Sequence, residues 1–327
     1  MSAMTLDQLP SAIANADNLP SPPNVALEVM RVADDPHARA EHLGAIIRND
    51  PALAIRLLRT VNSAAYGLPN SIDSVERACA LLGFPKAKTL TLGYSVADSL
   101  PVVGPESGFD LSEYWMRSGL TASAAELFAR KMTPEHADVA FVVGLLSEVG
   151  RLVLAGCLTS VYKTLLLDDP WPSSQLEKAQ LGFSNLDISS ALFRSWNLPP
   201  EIVEPIAHRD VPEQLPADAS TDVIRLCRVL APAEILARVW ASGAKDNDLN
   251  WAGDAAAHYL QMPPEMFVQV VDELREKVET REAFRAVSPP ASVNVKNLEQ
   301  EACDRLETAV SRSATGPRGA QLLRQAG

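Results

Sequence analysis

The chain has 327 residues, 47% hydrophobic and 21% charged, with a formal net charge of −12, which is the balance of an ordinary folded protein with length to spare for a core. The acidic excess repels phosphate backbones and argues against nucleic acid as a partner. The four cysteines (Cys79, Cys157, Cys227 and Cys303) form no C-x-x-C pair, which argues against zinc and disulfides and for a reducing compartment.

The opening "MSAMTLDQLPSAIANADNLP" has neither a basic n-region nor an apolar h-region, so no signal peptide is expected. Val25, Val29 and Val32 then fall at helical spacing, and Asp50-Pro51 reads as N-cap plus first residue of "ALAIRLLRTVNSA". Ser74 opens "SVERACALLGF", which Gly83 closes, and Pro85 starts the next helix. Long helices are predicted over about 111–131 and 135–156, with shorter ones in "QLEKAQLG", "LDISSALFRSWN" and, after Pro199-Pro200, "EIVEPIAHR". Helices at about 219–241, 251–261 and 264–283 follow, then a flexible stretch, "AVSPPASVNVKN", and a last short helix in "LEQEACDRLETAVSR". Nothing alternates with period two between turn signals, so the fold is expected to be all-α, a multi-helix bundle. Uninterrupted apolar runs such as "VAFVVGLL" are too short to span a bilayer, and a cytoplasmic protein with no membrane partner is expected.

"FVVGLLSEVGRLVLAG" poses the sharpest question, because Glu148 sits in a segment that is apolar all round and therefore a candidate for burial. On one continuous helix Leu145, Glu148 and Leu152 would share a face. Burying a lone carboxylate costs several kcal/mol or more, so Glu148 lies at a hydrated edge, forms a buried ion pair, or binds a metal. The residues alone leave all three open.

"ADVAFVVGLLSEVGRLVL" resembles the helix that carries the His-Asp pair of HD-superfamily metal phosphohydrolases. From about Leu19 to Arg209 the chain is similar to the HDOD family, the HD-related output domain of bacterial signalling proteins. The segment "IIRNDPALAIRLLRTVNSAAYGLPNSIDSVERACALLGFPKAKTL" is the most distinctive match. The resemblance implies an N-terminal helical lobe (1–104) and an HD-like lobe (105–212), with a C-terminal helical extension (213–285) and a tail (286–327) beyond them. Carried over by position, the first HD metal ligand falls at Arg117, the His-Asp pair on Ser147 and Glu148, and a further histidine on Asn185. His208 alone keeps its type, and Glu234 is the late acidic candidate. Serine is a poor neutral ligand and arginine cannot ligate a cation, so the resemblance implies an erased centre with no metal and no cofactor. It also suggests that Arg117 stands in for the cation, neutralised by Glu148 with Glu234 beside it. The alternative is an Arg117 that reaches solvent.

Weaker candidates are Asn62 and Tyr66 in "VNSAAYGLPN", read first as structural packing. His37, His42, His136 and His258 read as surface residues, and Trp115, Trp171, Trp196, Trp240 and Trp251 as packing. The expected function is a non-catalytic signalling module with a protein partner, and its input comes from a separate chain. The rivals are a residual metal-dependent phosphohydrolase and a nucleotide sensor using the degenerate pocket.

Overall fold

In the computed structural model the described residues are 24–280, apart from 34, 36, 63–65, 67, 70, 99, 101–102 and 242–247, together with 300, 301 and 305. Every regular element among them is helical. Packing divides the chain into two units, Pro20–Pro101 and the remainder. Most of the last predicted helix and the proline-containing stretch before it lie outside the described residues.

The smaller unit holds α1 (Asn24–Ala33), α2 (Ala40–Arg48), α3 (Pro51–Val61), α4 (Val75–Leu82) and α5 (Phe84–Asp98). Its helix starts follow local chemistry: the Leu53 N–H donates to Asp50 Oδ1 at 3.1 Å, and Ser74 Oγ accepts from the Arg77 N–H. Gly83, at φ +75°, turns the chain from α4 into α5 with a single linking residue. The core gathers Val29, Leu43, Ile47, Leu57, Ala78 and Leu90. On α1 the buried stripe is Ala26 and Val29, while Val25 and Val32 are only half-buried.

The larger unit is built around α6 (Leu111–Met132), capped by Asp110, which accepts from the backbone of Ser112 and Glu113. Most of α6 is buried because α7 (Ala137–Leu146), α13 (Thr221–Ala241) and α15 (Pro264–Glu279) pack along it. Between α7 and α13 come α8 (Val149–Cys157), α9 (Thr159–Asp168), α10 (Ser174–Leu181), α11 (Asn185–Ser195) and α12 (Pro200–Ala207), and α14 (Asp248–Leu260) precedes α15. The helices after residue 212 thus share one unit with those before it.

The continuous helix expected over 135–156 is broken. A 3₁₀ turn at Pro134–His136 precedes α7, and Ser147 and Glu148 form a turn before α8. Ser147 Oγ donates to the Gly144 carbonyl oxygen at 2.8 Å, and the Ser147 N–H points to the same oxygen at 3.3 Å. A serine that bonds back to the preceding turn competes with the helical ladder. Glu148 therefore does not share a helical stripe with Leu145 and Leu152. By length and composition Pro134–Cys157 is apolar enough to cross a membrane, contrary to what its uninterrupted runs suggest. However, 83% of its most apolar window is buried within the protein.

Two glycines allow backbones to touch along this segment. An ideal Cβ on Gly144 would lie 2.7 Å from the Ala122 Cα, and one on Gly150 would lie 1.9 Å from the Asn185 carbonyl oxygen. Gly150→Ala is expected to destabilise the protein by about 3 kcal/mol or more in urea unfolding. Gly253→Ala, whose nearest neighbour is the Phe267 ring at 3.4 Å, should change stability by less than about 1 kcal/mol.

Candidate functional site

The turn between α7 and α8 delivers Glu148 into a dry interior, where it is 2% exposed. Both carboxylate oxygens are taken by guanidinium groups. Arg151 Nε donates to Oε2, and Arg209 Nη2 lies 2.9 Å from Oε1. Arg151 stands three residues on, in the first turn of α8, so the same turn that releases Glu148 sets its first partner.

From Arg151 the network continues through Nη1, which donates to Glu177 Oε1 at 2.9 Å, the Pro172 carbonyl oxygen at 2.8 Å and the Tyr162 hydroxyl at 3.2 Å. Glu177, on α10, is fully buried. Its other oxygen accepts from the Asn185 backbone N–H at 2.6 Å and from Asn185 Nδ2 at 2.7 Å. Asn185 Oδ1 then accepts from Arg209 Nη2 at 3.1 Å, which closes a ring Glu148–Arg151–Glu177–Asn185–Arg209. Two carboxylates face two guanidiniums, and Asn185 bridges donor and acceptor. Arg209 also donates to the Ser147 carbonyl oxygen, while its Nε lies 3.6 Å from both Asp210 Oδ1 and Glu234 Oε2.

These contacts set the proton affinities. Burial alone would raise the Glu148 carboxyl, but Arg209 and then Arg151 override it and hold the group at about 2. For Arg209, burial pulls downward, yet Glu148, Glu234 and Asp210 raise it and lock the charge on. Glu234 sits at the rim, and burial raises its carboxyl.

Arg117 belongs to a neighbouring cluster. Its Nε lies 2.6 Å from Glu113 Oε1, one turn earlier on α6, and its guanidinium stacks 4.4 Å from the Trp171 ring centroid. Arg151 lies 4.9 Å from the same ring, and Phe109 stacks on it at 5.7 Å. Glu113 Oε2 also accepts from Arg305 Nη1, which donates to the Ala241 carbonyl oxygen as well. The expected Arg117–Glu148 pair is therefore absent: Glu113 is closer along the helix, and Arg151 and Arg209 have filled Glu148. Arg117 acts on Glu148 only as a minor, longer-range positive charge.

Of the residues singled out from sequence, Ser147, Glu148 and Asn185 meet around Arg209, with Glu234 at the edge. His208 does not join them. Its Nδ1 lies 3.0 Å from the Glu204 carbonyl oxygen and 3.6 Å from Glu204 Oε2, while the next residue, Arg209, enters the interior. Sequence reasoning missed Arg151, Glu177 and Arg209. The spacing of Arg151 from Glu148 within one greasy segment was a usable signal, whereas Glu177 in "SQLEKAQL" resembles any surface glutamate.

A hydrolytic divalent cation does not fit this donor set. Ser147 offers only a neutral hydroxyl that donates to the Gly144 carbonyl oxygen, both Glu148 oxygens are ion-paired, Asn185 Oδ1 is bonded, and a permanent positive charge stands among them. Among the described residues no three His, Cys, Asp or Glu side chains are grouped to hold a metal. Asn62 is also structural: its amide donates to and accepts from the Ile72 backbone, both at 2.7 Å, and so fastens the loop after α3. His136, expected on the surface, is largely buried and lies 3.1 Å from Asp222 Oδ1. Trp251, expected to pack, is 53% exposed.

The HDOD domain model matches residues 19–212. The chain belongs to the HDOD family. An HDOD domain protein with unknown function from Geobacter sulfurreducens shares the fold at a TM-score of 0.62 and 18% identity, covering 86% of this chain and 97% of its own. A candidate phosphohydrolase from Shewanella amazonensis SB2B matches at 0.61 and 21%, covering 90% and 98%. A candidate signal transduction protein from Marinobacter aquaeolei VT8 matches at 0.59 and 21%, covering 90% and 65%. At these identities the likeness is one of fold. An uncharacterized protein of Treponema pallidum (strain Nichols) is 26% identical over 216 residues, or 63% of this chain. This HDOD chain spans 40% of that relative's length.

The ring makes stability depend on acid in a defined sense. Glu148 binds protons less tightly folded, at about 2, than at its ordinary 4.5, so its contribution is complete above pH 4.5 and is lost as pH falls towards 2. That contribution is on the order of 3 kcal/mol. Glu148→Gln is expected to cost about 3–5 kcal/mol at neutral pH, because two buried guanidiniums lose a counter-charge. Urea titrations between pH 6 and 3 should show a shallower acid loss in the variant than in the wild type.

Proposed function

We propose that this HDOD chain is a non-catalytic regulatory module of bacterial cytoplasmic signalling that acts through contact with a protein partner. The observation that carries the reading is the saturation of Glu148 by Arg151 and Arg209 at the position where HD hydrolases bind metal. Metal-dependent hydrolysis requires a bound cation that brings the pKa of its water to about 7. Here each carboxylate oxygen already carries a guanidinium, and those two fixed positive charges oppose such an ion. The fold shared with a candidate signal transduction protein supports the same reading.

A residual phosphohydrolase is the reading suggested by another neighbour of this fold, but Glu148, His208 and Glu234 do not converge in the manner it requires. Nucleotide sensing through Arg117 is disfavoured because that guanidinium is already paired with Glu113 and stacked on Trp171. With Glu148 and Arg117 both ion-paired, the surface is left to carry recognition.

Two measurements test the proposal together. After incubation with manganese and desalting, elemental analysis is expected to find no stoichiometric metal, and phosphodiesterase and nucleotidase assays no turnover above a Glu148→Gln control. An affinity pull-down from the native cytosol is expected to retain a specific protein. Stoichiometric metal accompanied by turnover that Glu148→Gln abolishes would refute the non-catalytic reading.

A further inference from the structure

Arg209 is surrounded by oxygen. Glu148 Oε1 lies at 2.9 Å, Asn185 Oδ1 at 3.1 Å, the Ser147 carbonyl oxygen accepts from Nη1, and Asp210 Oδ1 and Glu234 Oε2 each lie 3.6 Å from Nε. These oxygens come from the α7–α8 turn, α11, α13 and the residue after Arg209 itself, and the arginine side chain is 1% exposed. Three of the five are carboxylate oxygens. Arg151 cannot replace Arg209, because its own guanidinium is committed to Glu148, Glu177, Tyr162 and the Pro172 carbonyl. Without Arg209 the enclosure would be a negatively charged, oxygen-lined cavity with a buried wall.

We propose that this enclosure is a cation-binding site whose ligand is built into the chain: Arg209 is its resident cation. Removing the side chain should leave a site that accepts a small cation from solution, with guanidinium preferred because its planar fork reproduces the contacts that Nη1, Nη2 and Nε make. The module would then need no metal ion to complete its fold, and chelation or metal shortage would not alter it. This inference depends on the geometry around Arg209 and holds whichever partner the module contacts.

The test is chemical rescue in the full chain. Arg209→Ala is expected to melt about 10 °C below wild type. Guanidinium chloride at about 10 mM, far below denaturing concentrations, should recover at least half of that loss, while equal sodium chloride should not and the wild type should not gain. In Arg209→Ala with Glu148→Gln the rescue should disappear. A folded Arg209→Ala that gains nothing from guanidinium would overturn the proposal, as would a wild type whose melting temperature falls with a chelator.

If Arg209→Ala is unfolded, helix recovery on adding guanidinium supports the proposal. If it stays unfolded, Arg209→Lys decides. Its melting loss and that of Glu148→Gln should be strongly non-additive when combined, and simple additivity would overturn the claim. Neither turnover assays nor partner capture bears on these readouts, so the two proposals can fail separately.

Discussion

The larger unit depends on one interaction, the Glu148 carboxylate held between two guanidiniums out of reach of water. Taking each of these ions from water costs several kcal/mol, and their mutual attraction offsets this only when the remaining donors and acceptors are also satisfied. The ring through Glu177 and Asn185 satisfies most of them, and Arg209 Nε, which makes no hydrogen bond, lies 3.6 Å from the Asp210 and Glu234 carboxylates. Its members come from the α7–α8 turn, α8, α10, the start of α11 and the residue stretch after α12. Misplacing any of those elements would leave a buried charge without its partner.

Backbone approach and charge pairing are linked. The contact that Gly150 permits against Asn185 is reinforced by the Ser189 hydroxyl, which accepts from the Gly150 N–H at 2.8 Å. That contact brings the first turn of α11 beside the first turn of α8 and so places Asn185 within reach of both Glu177 and Arg209. Trp171 joins the ring to the Arg117–Glu113 pair, since its indole lies against both Arg117 and Arg151. The short loop that carries it is fastened by its own N–H to Asp169 Oδ1 and by the Pro172 carbonyl to Arg151. The charge pairing leaves Glu148 unsuited to activating water.

Much of the helical architecture was legible because its signals are local. Asp50, Ser74 and Gly83 each end or begin a helix through groups within a few residues of themselves, and the structure uses each as its residue type predicts. The family likeness was equally readable, since it rests on a long contiguous pattern. The break at Ser147 was harder to see: one side-chain hydrogen bond outweighed an apolar run that favours an unbroken helix. The site was half legible. Glu148 drew attention because a carboxylate in an apolar segment must be compensated, and Ser147 and Asn185 followed from their positions in the family pattern.

The chain's sequence by itself determined that this is an all-helical HDOD protein with a costly acid in its interior and few of the ligands a metal would require. Tertiary structure alone decided which cation answers that acid. Arg117, Arg151 and Arg209 are equivalent as formal charges, and a sequence places no distances between segments as far apart as Ser147 and Arg209, 62 residues along the chain. Pairing energy depends on separation, orientation and dryness. Those were settled only when the close contact at Gly150, the turn at Ser147 and the end of α12 brought Arg209, rather than Arg117, to the carboxylate.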